Sequence, residues 1–183
     1  MKGLFHVLLV PLAGMLARTQ EEHPVQLTVA PSIDLTRYAG TWYEIARLPN
    51  RFQEKCDCNV TATYTLLDDG DVRVVNRCRE KDGKITEAEG RARRASIDEP
   101  NTKLKVRFAP AFLSFLPFVW GDYWIIDLAP DYTYAVIGEP ERRYLWILSR
   151  SPRMDDTLLA DILARVKDQG YDISSLVLTR QTE

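Results

Sequence analysis

The stretch VTATYTLL-DDGD-VRVVNRC, residues 60–78, decides the fold. Apolar or β-branched residues recur at every second position on both flanks, which is strand periodicity. Asp68-Asp69-Gly70-Asp71 between them carries hairpin chemistry, with Gly for positive φ and Asp to bond the local backbone. A loop of Asp69-Gly70-Asp71 sets Tyr64 opposite Asn76, Leu66 opposite Val74 and Ala62 opposite Cys78. One face then reads Val60, Ala62, Tyr64 and Leu66 against Val72, Val74, Asn76 and Cys78. The other reads Thr61, Thr63 and Thr65 against Arg73, Arg77 and Arg79, with Val75 as the exception. By polarity the first face is the inner one.

Similar runs extend the pattern in both directions, at residues 41–48, 85–97, 103–108, 123–128, 132–137 and 144–149. Turn residues separate them, among them Lys81-Asp82-Gly83, Asp98-Glu99-Pro100-Asn101, Ala129-Pro130-Asp131 and Gly138-Glu139-Pro140-Glu141. Eight strands with short connections favour an antiparallel meander over βαβ units. One helix follows. Asp155 is its N-cap, Leu158, Leu159, Ile162, Leu163 and Val166 form its apolar face, and Gly170 stops it. A short ninth strand covers residues 176–179. The fold expected is all-β: a closed eight-stranded barrel, or a two-sheet sandwich, with one C-terminal helix. Closure removes the exposed edges and leaves an interior wide enough for one small ligand.

The 183 residues, with 24 basic and 26 acidic side chains, suit one soluble domain without a basic footprint for nucleic acid. Both histidines, His6 and His23, precede Pro24, so the body has none for Ser-His-Asp catalysis, haem or HExxH zinc chemistry. Residues 1–17 resemble a secretory leader, with Lys2 followed by a short apolar run that is too brief to span a bilayer. Residues 18–33 read as a flexible lead-in, and 34–183 as the domain. Leu12-Ala13-Gly14 resembles the end of a lipoprotein signal, but Met15 stands where a lipidated cysteine belongs. The expectation is export to the periplasm or outer membrane without lipid at Met15. Three cysteines in that setting, Cys56, Cys58 and Cys78, imply one disulfide to Cys78 and one free thiol. The sequence does not choose between Cys56 and Cys58, and it places no fourth ligand nearby to make a metal site.

Gly40-Thr41-Trp42-Tyr43-Glu44 resembles the Gly-x-Trp opening of the lipocalins. Asp131-Tyr132, in the sixth interstrand turn, and Arg150, after the eighth strand, fall where that family has its second and third motifs. The likeness spans about residues 34–180, and is nearest to the bacterial outer-membrane lipocalins and apolipoprotein D. It implies that Gly40, Trp42, Asp131, Tyr132 and Arg150 are structural, with the Arg150 guanidinium lying over the Trp42 indole at the closed end. It implies a cup lined by Ala62, Tyr64, Leu66, Val74, Asn76 and Trp124, binding a fatty acid, lysophospholipid or similar lipid without a cofactor. Tyr64 and Asn76 are the candidate headgroup contacts.

The segment 109–121 would sit at the open end. It is uncharged up to Trp120 and carries Phe112, Phe115, Phe118 and Trp120. It either folds inward as a lid or serves as a ligand portal, a contact between two copies, or a membrane-touching tip. Glu44 alternates with Tyr43 and would need a partner if it points inward. Arg91-Ala92-Arg93-Arg94 is an outward strand face, with an anionic-headgroup patch as the alternative. The competing functional class is a lipid-modifying enzyme that uses the free thiol of Cys56 or Cys58.

Overall fold

The computed structural model describes residues 26–182, and the expectations for the leader and for Met15 lie outside them. The elements are α1 (Leu35–Tyr38), β1 (Gly40–Arg47), β2 (Cys56–Leu66), β3 (Val72–Glu80), β4 (Ile85–Arg94), β5 (Lys103–Arg107), β6 (Gly121–Leu128), β7 (Tyr134–Gly138), β8 (Trp146–Ser149), α2 (Asp156–Asp168) and β9 (Val177–Leu178). The first eight strands pair antiparallel in chain order, and β1 joins both β8 and β2. The sheet therefore closes into an eight-stranded barrel, with β9 added along the second half of β1.

The β2–β3 hairpin turns one residue earlier than expected. Leu67 N donates to Asp71 O and Gly70 N donates to Leu67 O, so the loop is Asp68-Asp69-Gly70, with Gly70 at φ 85°. Tyr64 consequently faces Val74, Leu66 faces Val72 and Ala62 faces Asn76. This slip of two positions changes every cross-strand partner but leaves each residue on the face expected of it, because the side-chain period is two.

The register also explains the disulfide. Irregularities in β2 set Cys58 against Arg79 and Cys56 against Glu80. The Cys56 and Cys78 Cα atoms come within 5.6 Å and the two residues are bridged, leaving Cys58 as a buried free thiol.

Two apolar layers hold the molecule together. The inner layer fills the lower barrel with Trp42, Ala62, Tyr64, Val72, Val74, Ala92, Ile125, Ile137 and Leu148. The outer layer packs Ile162 and Val166 of α2 against Ile126, Val136 and Ile147. Asp155 caps α2 by accepting from Thr157 N and Leu158 N at 2.9 and 3.1 Å.

Residues 26–33 are not a free lead-in over their described length. Leu27, Ala30 and Ile33 are buried, Ala30 N donates to Ile125 O, and Thr102 Oγ1 donates to Ala30 O. The C-terminal end is tied down as well. Gln181 Nε2 donates to Glu44 O and Val60 O, joining β1 to β2 where those strands no longer pair.

Candidate functional site

Gly40, Trp42 and Arg150 build the closed end. Trp42 is fully buried, and its Nε1 donates to Tyr38 O at 2.8 Å. The Arg150 guanidinium lies 3.8 Å from the indole centroid. It donates to the carbonyls of Thr41, Arg37, Tyr38 and Ala39, which include the exposed carbonyls at the end of α1. Gly40 has φ 98°, and a Cβ there would sit 3.3 Å from Arg150 Nη1, so both backbone and space favour glycine.

Asp131 and Tyr132 brace the same end. Asp131 Oδ1 accepts from Thr133 N and Oγ1. Tyr132 Oη accepts from Asp34 N at 2.8 Å, and Arg37 stacks over its ring at 4.0 Å.

Above this plug, Ala62, Tyr64 and Val74 face the interior as expected. Two other residues in the expected lining do not. Leu66 is 41% exposed, beyond the plug at the closed end. Trp124 belongs to the outer layer with α2, where Lys103 Nζ sits 4.2 Å from its ring and Asp122 accepts from its Nε1. Its neighbour Tyr123 points inward instead. In GDYWIIDL both alternating sets are apolar, because the inner set meets the cup and the outer set meets a helix. Periodicity therefore cannot tell the two faces apart.

Tyr123 and Tyr38 are the polar interior residues that sequence reasoning missed. The Tyr38 and Tyr64 hydroxyls each lie 2.8 Å from the Tyr123 hydroxyl. Burial pushes Tyr64 up to about 12 and holds Tyr38 and Tyr123 well above their ordinary range, so all three are neutral. Two hydrogen bonds use two of the three hydroxyl protons, which leaves one unused within the triad.

Higher on the same face lies Asn76, opposite Ala88. Asn76 is half-buried, and its amide makes no hydrogen bond within the described residues. Ala88, Gly90 and Ala92 keep this wall thin, and Phe108 lies where a Gly90 Cβ would be, with its ring 43% exposed.

The mouth has one polar knot. The buried Glu44 carboxylate accepts from Arg47 Nη1 at 2.8 Å, Gln53 Nε2 at 2.5 Å and Thr179 Oγ1 at 2.5 Å. Gln53 in turn accepts from Trp146 Nε1, fastening the β1–β2 loop to the wall. This network supplies the partners that Glu44 needs in that position.

The segment 109–121 does not fold inward as a lid. Two short 3₁₀ turns, Ala111–Leu113 and Pro117–Val119, give it a period near three. Phe112, Phe115 and Phe118 fall on one side and are 74, 77 and 80% exposed. Leu113, Leu116 and Val119 fall on the other, half-buried, with Trp120 anchored by its Nε1 to Ser114 O. Among the described residues no group of His, Cys, Asp or Glu is arranged to hold a metal.

A closed barrel with an Arg-capped Trp plug and an apolar interior has its counterpart among known proteins. Residues 33–181 match the family model of the lipocalin-like domain. The chain is a lipocalin. This family binds and carries small hydrophobic ligands. Among curated relatives, temperature-induced lipocalin-1 of Arabidopsis thaliana is 42% identical over 86% of this chain and 84% of its own length. The outer membrane lipoprotein Blc of Escherichia coli is 39% identical over 86% of this chain and 85% of its own. Apolipoprotein D of Rattus norvegicus is 31% identical over 96% and 94%. Among solved structures, the cockroach allergen Per a 4 shares the fold at a TM-score of 0.64 and 19% identity, covering 85% of this chain and 92% of its own.

Proposed function

We propose that this lipocalin carries a single-chain lipid, such as a fatty acid or lysophospholipid, with the hydrocarbon in the cup and the polar end toward Asn76. The observation that carries this reading is the half-buried Asn76 amide, unpaired on an otherwise apolar wall. Water can reach this amide, and a guest oxygen can take the place of that water at the one polar side chain of the wall. The tyrosine triad offers a second donor below it.

Affinity comes from burial. At about 0.8 kcal/mol per methylene, a chain of about ten brings roughly 8 kcal/mol before association costs, so longer chains bind more tightly. Titration of a fluorescent fatty acid tests the reading. Saturable binding that weakens in Asn76→Leu supports it; no binding of any long-chain amphiphile overturns it. Catalysis through a free thiol is disfavoured because Cys58 is buried and Cys56 is bridged. Alkylating the unfolded and refolded chain at Cys58 leaves lipid affinity unchanged in a carrier.

A second reading concerns location. The Blc relatives are named outer membrane lipoproteins, which supports export of this chain to the cell envelope. The outward stripe of Phe112, Phe115 and Phe118 supports contact with a lipid surface beside the mouth. Phe115→Asp is expected to release the protein from vesicles in a flotation assay. If light scattering instead shows a dimer lost in that variant and vesicle binding unchanged, the stripe is a contact between two copies.

A further inference from the structure

The outer face of β4 and β5 carries cations in an arrangement that the fold does not need. Arg91 stands directly opposite Arg107, and Arg93 directly opposite Lys105. Like charges facing one another across a ladder repel. Two of the four are neutralised at the edges of the block. Arg91 pairs with Asp69 and Asp71, and Lys105 Nζ lies 2.7 Å from Asp122.

Arg93 and Arg107 have no carboxylate partner among the described residues. Arg107 is only 7% exposed, and its Nη1 donates to Ala109 O. Its Nε is buried without a hydrogen-bond partner. Burying a guanidinium in that condition is unfavourable unless something else supplies the acceptor. The two guanidinium carbons lie 4.1 and 5.2 Å from the centroid of one ring, the indole of Trp120.

We infer that Arg93, Arg107 and Trp120 form a binding site for a phosphoryl group, separate from the cup. The chemistry selects the class. The exposed Arg93 offers a planar fork that matches two oxygens of an oxyanion, Arg107 adds its charge and the N–H groups not taken by Ala109 O, and together they call for more oxygens and more charge than one carboxylate has. A phosphate monoester supplies both. Trp120 lies against both guanidinium groups, so an anion seated on them changes the surroundings of its indole, which makes it the reporter. Phosphorylated lipid headgroups and soluble phosphate share this chemistry. The site adjoins the root of the Phe stripe, but its existence does not depend on that stripe or on lipid in the cup.

The test follows tryptophan fluorescence while inorganic phosphate replaces chloride at constant ionic strength. In parallel, phosphatidylcholine vesicles are compared with and without phosphatidic acid. Wild type is expected to show a saturable change that disappears in Trp120→Phe. The apparent affinity should weaken about tenfold or more in Arg93→Gln, the loss expected for charge-assisted hydrogen bonds. Arg107→Lys keeps the charge, loses the fork and should weaken in the same direction. Arg153→Gln, an exposed arginine elsewhere, should leave affinity unchanged. A response to phosphatidic acid that depends on Arg93 assigns the group to a lipid headgroup, whereas a response to phosphate alone assigns it to a soluble ester. The inference is overturned if neither probe responds, or if Arg93→Gln and Arg153→Gln behave alike.

Discussion

Arg150→Ala should unfasten the closed end of the barrel, and the structure sets the size of the effect. The guanidinium donates through Nη1 to Thr41 O at 3.0 Å, and through Nη2 to Arg37, Tyr38 and Ala39 O at 2.7, 3.0 and 3.0 Å. Nη2 has two protons for three acceptors, so about three effective bonds are made rather than four. The site is half-buried and water can replace part of each bond, which brings each below the usual range for charged donors, to about 1 kcal/mol. Stacking at 3.8 Å on a fully buried indole adds roughly 1 kcal/mol. The expected loss is therefore about 3–5 kcal/mol, or on the order of 10 °C in Tm for a chain of this size. Arg150→Lys keeps a cation over Trp42, but a single ammonium cannot span carbonyls from Arg37 to Thr41, so about half the loss should remain. Urea unfolding at constant m-value measures both variants. A loss below about 1 kcal/mol for Arg150→Ala, the scale of an exposed ion pair, refutes the idea that Arg150 holds the plug.

Three further outcomes are expected. Folded Tyr64 holds its proton up to about pH 12, so the unfolded chain ionises first. Stability is full below pH 10 and falls as pH rises toward 12, by about 2–3 kcal/mol from this residue; denaturant titrations of Tyr64→Phe should show a shallower alkaline loss. Removing the Cys56–Cys78 bridge by Cys56→Ser should cost about 3 kcal/mol for a loop of 22 residues. Unchanged unfolding after reduction would count against this. Gly138→Ala places a methyl 2.1 Å from the buried Tyr171 hydroxyl, which both donates to and accepts from the backbone of Glu139. It should cost about 1–3 kcal/mol, and Tyr171→Phe in the same chain should recover part of the loss.

Much of the barrel was legible in the sequence because alternation and turn residues are local signals. Where one face meets water, as with Thr61, Thr63 and Thr65 on β2, polarity sorts the two sides correctly. It fails on β6, where α2 covers the outside and both faces are apolar; there Trp124 was placed in the cup and Tyr123 overlooked. Leu66 was misplaced for a different reason. It lies on the correct side of its strand but past the plug, and depth along a barrel leaves no mark in alternation. The four-residue helix α1 escaped notice because one turn has no periodicity to detect, although its Asp34 cap is of the usual type.

By itself, then, the order of residues determined the strand count, the capped C-terminal helix and the presence of an uncharged aromatic loop, while the closed end with Trp42 and Arg150 came from the resemblance to the lipocalins. The strands, the helix and the loop rest on neighbours in the chain and on the two periods of backbone geometry. Tertiary structure alone decided which cysteine is bridged, which tyrosines share protons, that Asn76 is left without a partner and that Arg107 is buried without an acid. Each of these depends on the register between strands and on what covers a face. A shift of two residues in one turn leaves every side chain on its side of the sheet while changing everything it touches.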